Sequence, residues 1–136
     1  MKNKFIGLLL LSTLILSIST AAFAGAETTD AKIVVQMKGA LDADDNLKTA
    51  MNDITNVEWA LVLGELTAAD LAGADMLIMI QTDPAAEFTD AELNVVKTWF
   101  NRGAKLLWVP SDSDFGDGQQ LRIDDANDVL VAVGSK

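Results

Sequence analysis

The residues that can do chemistry gather in one stretch, Ser111-Asp112-Ser113-Asp114-Phe115-Gly116-Asp117-Gly118. Asp112, Asp114 and Asp117 are hard oxygen donors at spacings of two and three, and Gly116 and Gly118 loosen the backbone between them, a composition suited to calcium. Extracellular calcium modules bind with dissociation constants of about 10⁻⁴ to 10⁻³ M, so a partial ligand set suffices there. The pattern departs from an EF-hand loop, since Gly116 takes the fifth position and Ile123 the twelfth, where a bidentate Glu belongs. Asp and Gly are equally the ordinary residues of turns and caps, and an anionic contact for a cationic partner is a third reading. Asp42, Asp44 and Asp45 carry the same alternatives, but they also fit the start of a helix. Ser111 and Ser113 offer hydroxyls that react only beside an activating base. The chain contains no histidine and no cysteine, so the commonest bases and nucleophiles are absent.

The elements that position this stretch follow from periodicity. Lys32 to Met37 is a short β-branched apolar run and predicts a first strand. Asp42 to Asp53 follows as a helix, with Leu41, Leu47, Met51 and Ile54 at helical spacing and acids in its first turn. Val57 to Leu63, with Trp59 inside it, predicts a second strand that Gly64 stops. Thr67-Ala68-Ala69-Asp70 resembles a capping box stapled by Leu66 and Leu71, and predicts a short helix ending near Gly73. Asp75 to Ile80 is apolar at successive positions, the mark of a strand covered on both faces of a parallel sheet. Thr89-Asp90-Ala91-Glu92 is a full capping box, with Phe88 and Leu93 as staple. It opens a helix striped by Leu93, Val96, Trp99 and Phe100 and stopped at Gly103. Lys105 to Val109 predicts a fourth strand. A last helix is expected to be capped by Asp124 or Asp125, with Ala126, Val129, Leu130 and Val133 inward and Gly134 at its end. Trp59, Trp99 and Trp108 lie within apolar runs and are expected in the core.

Alternating strands and helices at this spacing predict an α/β domain: a small doubly wound parallel sheet of about four strands, with helices on both faces. In such a sheet the loops after the strand ends hold ligands, which places residues 110–118 at the candidate site. A sheet in the order 2-1-3-4 leaves the fourth strand at an edge, and its uncharged run Leu106-Leu107-Trp108-Val109 is a composition that edges usually avoid. Self-association or a partner protein at residues 105–109 is the expected consequence.

Ahead of this domain, Lys2 and Lys4 precede the uncharged run Phe5 to Thr20, and Ala22-Phe23-Ala24 fits the small-x-small rule of signal peptidase. Residues 1–24 are therefore expected to be a signal peptide, cut before Gly25 or, in a second register, before Glu27. Residues 25–31 are a polar lead-in, and residues 32–136 form one domain, either short by design or the front part of a longer one. An uncleaved leader would be long enough to anchor in a bilayer. Loss of Lys2 and Lys4 leaves 8 basic against 20 acidic residues, a net charge of −12. A surface so acidic argues against nucleic acid or anionic lipid as partner. It also suits solubility outside the cell.

The order of motifs carries a resemblance. Strand, Leu66-Thr67-x-x-Asp70-Leu71 turn, Ala74-Asp75 strand, Phe88-Thr89-x-x-Glu92 helix, glycine turn and Leu106-Leu107-Trp108-Val109 strand together resemble the class I glutamine amidotransferase-like superfamily, of flavodoxin-like architecture. The nearest look is to its exported, non-catalytic members found beside transport systems, and the likeness covers residues 32–136. It implies that Gln81-Thr82-Asp83-Pro84 stands where catalytic members build an oxyanion hole. Pro110-Ser111-Asp112-Ser113-Asp114 stands where they carry a Gly-x-Cys-x-Gly nucleophile turn. Here the cysteine, the flanking glycines and the histidine are all missing, so amidotransferase activity is not expected.

Three functions follow as expectations. The first is a non-catalytic ligand- or protein-binding module of the cell envelope, with Gln81, Thr82, Asp83, Ser111, Asp112, Ser113 and Asp114 as candidate ligand residues. The second is an extracytoplasmic domain that binds calcium through Asp112, Asp114 and Asp117, with no other cofactor called for. The third is a cryptic hydrolase using Ser111 or Ser113 with an acid.

Overall fold

A computed structural model of the chain describes residues 30–111 and 119–135. The expected leader, residues 1–24, lies outside the described residues, as do residues 112–118 of the acidic turn. Four parallel strands, β1 (Ala31–Lys38), β2 (Val57–Val62), β3 (Met76–Gln81) and β4 (Leu106–Trp108), form one sheet in the order β2-β1-β3-β4. Three helices accompany them: α1 (Asp45–Asp53), α2 (Asp90–Phe100) and α3 (Gln119–Ala132). The fold is the α/β arrangement expected from the alternation of periods, with a flavodoxin-like strand order. No described helix is long and apolar enough to cross a membrane.

β1 is the central strand. It pairs with β2 from Ala31↔Val57 to Gln36↔Val62 and with β3 from Ile33↔Met76 to Lys38↔Gln81. Residues Val34 to Lys38 are all buried, because both faces of this strand are covered. On one face Val34, Leu77 and Met79 pack with Leu66, Leu71, Phe88, Val96, Trp99 and Val129, so this side is closed by α2, α3 and the segment after β2. On the other face Val35, Met37 and Ile78 pack with Ala43, and Leu47 of α1 leans against them. Each fully buried Val, Leu or Met contributes about 1.5–3 kcal/mol. The thicker layer is therefore the main source of cohesion.

Several boundaries differ from the sequence-based expectation. Leu41 is not on the first helix. It is 98% exposed, and the helix begins only at Asp45, because Asp44 is the N-cap, its carboxylate accepting the Leu47 N–H at 2.9 Å. The predicted helix at Thr67–Gly73 is a run of turns. Asp70, Ala72 and Ala74 each donate to the carbonyl three residues back, the tighter i→i+3 pattern. Asp70 accepts from the Thr67 N–H and hydroxyl as the capping pattern suggests, and Leu66 and Leu71 are buried as a staple would be. The crossover is too short to continue: Gly73 turns it with φ +73° and Asp75 already bonds to Lys32 of β1. α3 begins at Gln119, five residues before the expected cap at Asp124. Trp99 is in the core and Trp59 is half-buried, but Trp108 is 57% exposed, contrary to the core position expected for it. Its strand is the sheet edge, bonded among the described residues to β3 alone.

Candidate functional site

The capping box at Thr89 organises the carboxyl end of the sheet. Thr89 Oγ1 accepts the Glu92 N–H at 3.3 Å, and the Glu92 carboxylate returns to the Thr89 N–H at 2.8 Å and its hydroxyl at 3.0 Å. Glu92 lies on the inner side of α2 and is only 1% exposed. Two residues of β1, alternating with Met37 and hence on one face of the strand, reach it from the sheet. Lys38 Nζ donates to Oε2 at 2.7 Å and Gln36 Nε2 donates to Oε1 at 2.6 Å. The Leu66 N–H adds a further bond to Oε1 at 2.9 Å, and Gln36 Nε2 also donates to the Gly64 carbonyl at 2.7 Å. One carboxylate thus ties β1, the segment after β2 and the first turn of α2 together.

Burial alone would raise the Glu92 pKa. The bonds from Lys38, the Thr89 and Leu66 backbone and Gln36 outweigh it and hold the group below the usual carboxylate range. Glu92 is therefore ionised, and five donors occupy its two oxygens. Such a group cannot take a proton from a substrate at neutral pH. Lys38 is likewise buried, its ammonium turned into the pair. Sequence reasoning missed this network. Glu92 is visible in the sequence only as a capping residue, and the single available signal is Gln36 and Lys38 alternating at the end of the central strand after its apolar run Ile33-Val34-Val35.

Gln81, Thr82 and Asp83, the expected oxyanion-side segment, do sit beside the end of β1. Thr82 donates both its N–H and its hydroxyl to the Lys38 carbonyl, at 2.9 and 2.8 Å. Asp83 accepts the Ala85 N–H at 2.9 Å, closing its own loop. Gln81 Nε2 donates to the Ala86 carbonyl at 3.3 Å and to Asp125 on α3 at 2.5 Å. The Asp125 carboxyl is raised above its usual range, first by burial and then by the negative charge of Glu87, with Asp128 adding to it. The Phe88 backbone and Gln81 bonds offset part of this. Ser111 is exposed at the end of the β4 segment. Asp112, Ser113, Asp114 and Asp117 lie outside the described residues. Among the described residues no group of three or more acidic side chains converges as a metal site.

Lys105 is bonded back to the strand ends. Its Nζ donates to the Ala74 carbonyl at 2.5 Å, stands 3.8 Å from Asp75 and lies 5.8 Å from the centre of the Trp99 ring. At the far end of α2, Leu71, Val95, Trp99 and Arg102 line a shallow groove of about 210 Å³, smaller than the roughly 300–1,000 Å³ of typical ligand pockets. No protein-family model, no curated protein and no solved structure matches the chain.

Proposed function

We propose that the protein is a non-catalytic binding module of the cell envelope, on an amidotransferase-like frame, and that its contact is a protein engaging the β4 edge. The observation that carries this reading is where the saturated and the open surfaces fall. Among the described residues, the carboxyl end of β1, in the region where parallel α/β domains bind and react, is filled by Glu92 and its five donors. The edge strand β4, by contrast, leaves Leu106 65% exposed beside Trp108. An extended segment added to such an edge gains main-chain hydrogen bonds, with side-chain pockets giving specificity. The basic, apolar and small-residue order of residues 1–24 supports an extracytoplasmic site of action.

A photo-crosslinking amino acid placed at Trp108, in cells producing the full chain, tests the reading. It should yield discrete adducts that the same probe at Asn52 on α1 does not. Absence of any adduct at Trp108, or fluorophosphonate labelling of Ser111 with ester turnover, would overturn it.

A further inference from the structure

We propose that the groove at the far end of α2 is a second binding site, and that its ligand is a small free carboxylate with a compact apolar body. The groove shares no residue with the β4 edge, so the two readings stand or fall separately.

The groove has two unlike walls. Leu71, from the turns after β2, with Val95 and Trp99, one turn apart on α2, makes the apolar wall. Leu71 and Trp99 are also core residues, 4% and 5% exposed. The Trp99 indole N–H donates to the Ala74 carbonyl at 3.1 Å, which fixes the ring. This wall is therefore held by the fold, and a ligand does not have to order it. Asn94 and Thr98, again one turn apart, make the polar wall with Arg102, which follows just past the helix end. All three are exposed.

The polar wall is distinguished by what the fold leaves unused. Among the described residues, the side chains of Asn94, Thr98 and Arg102 make no hydrogen bond and no ion pair. The usual task of a cation at a helix C-terminus is to satisfy the last carbonyls. Here the Lys97 carbonyl already accepts the Asn101 N–H at 3.2 Å and the Asn101 side-chain amide at 2.9 Å. The Trp99 carbonyl accepts the Arg102 N–H at 3.1 Å. The Arg102 guanidinium keeps its whole fork of donors, beside an amide and a hydroxyl that also donate.

Charge sets the class of ligand. The sequence has 20 acidic residues against 10 basic, yet residues 93–111 hold Lys97, Arg102 and Lys105 and no acid. Glu92, just before this stretch, is taken up by Lys38. Lys105 stands 5.8 Å from the centre of the Trp99 ring, and Asp75, 3.8 Å from its ammonium, offsets part of its charge. An anion therefore meets a locally positive surface on an otherwise acidic chain. A carboxylate suits Arg102 best, because the planar guanidinium pairs with it through two parallel bonds. Size sets the rest. At about 210 Å³ the groove falls short of the roughly 300–1,000 Å³ of drug-sized pockets. It has room for a ring or a branched chain and little more. A docked helix needs anchors over several turns and an added strand needs a sheet edge. The groove supplies neither, so its occupant is a small molecule and not a peptide.

Phenylacetate is the probe, with phenylacetamide as its neutral counterpart of the same shape. Saturation-transfer NMR on the full chain should show phenylacetate bound with a Kd on the order of 1 mM. The amide should bind about three- to tenfold more weakly. Arg102→Gln should weaken phenylacetate to the level of the amide and leave the amide unchanged, a split that a merely structural role would not produce. Ala68→Trp, at an exposed position of the groove, should fill it and block both probes, with circular dichroism confirming the fold. No binding of phenylacetate overturns the proposal, as does equal binding of acid and amide, or phenylacetate binding that survives both variants. Gly-Gly-Phe bound more tightly than phenylacetate would give the groove to a chain terminus and overturn the small-molecule assignment.

Discussion

At the scale of the residue, Glu92 is where the internal polar bonding converges, and its removal should be the most damaging polar substitution. Glu92→Gln leaves the Lys38 ammonium buried without its counter-charge. Breaking one side of a buried ion pair costs about 3–5 kcal/mol. In a domain near 100 residues each kcal/mol shifts Tm by about 4–8 °C, so the loss should be on the order of 15 °C or more. A double change, Lys38→Met with Glu92→Leu, should recover part of that loss, since apolar groups of similar volume often replace a buried pair without penalty. Thermal unfolding followed by circular dichroism decides the matter. If the single and double variants fall equally, the pair is not coupled. The sequence could announce the capping role of Glu92, since Thr-x-x-Glu is local. It could not announce the pair with Lys38, which depends on a register 54 residues away.

At the scale of the element, the loop after β3 rests on the turn after β1. Gly39 has φ +87°, and a Cβ there would stand 2.6 Å from the Asp83 Cβ and 3.0 Å from that of Ala86. Gly73 also has positive φ, at +73°, but its Cβ would meet nothing within 4 Å. Gly73→Ala should therefore cost only the conformational penalty, about 1–2 kcal/mol. Gly39→Ala should cost distinctly more, because the Asp83 loop must also move. Urea midpoints of the two variants make the comparison, and equal losses would mean that the loop does not bear on Gly39. The same contrast shows what was legible. Strands β1 to β3, the α2 capping box and the strand order follow from periodicity and from crossover rules. The turns of Thr67–Gly73 carry the residues of a helix start, yet the crossover leaves too little chain for one, and spatial closure overrides the local signal. Trp108 shows the opposite limit. Its apolar neighbours suggest burial, while its exposure follows from the sheet having an edge there, which is decided by the partners of the strand and not by its composition.

At the scale of the whole molecule, export and acidity are the testable properties. If residues 1–24 are removed on export, mass spectrometry of periplasmic or secreted protein should find a first residue of Gly25 or Glu27, and an intact Met1 in membranes would favour an anchor. The pH dependence is set by two carboxyls shifted in opposite directions. Glu92 is depressed below the ordinary glutamate value of 4.5 in the fold. The unfolded chain therefore binds more protons through that window, and stability is lost as pH falls from about 4.5. Asp125 is raised above 3.8, by burial and by Glu87. The folded chain binds more protons there, so stability declines as pH rises through the folded value of Asp125. Relief of repulsion among the other acids adds to the gain on mild acidification. The urea midpoint should thus pass through a maximum on the acid side of neutrality and fall steeply below it. Asp125→Asn should raise the urea midpoint slightly at pH 7 and lose that advantage near pH 4. Glu92→Gln should flatten the acid limb while lowering the whole curve. An unchanged acid limb in that variant would assign acid unfolding to charge accumulated over the whole surface instead of to the pair with Lys38.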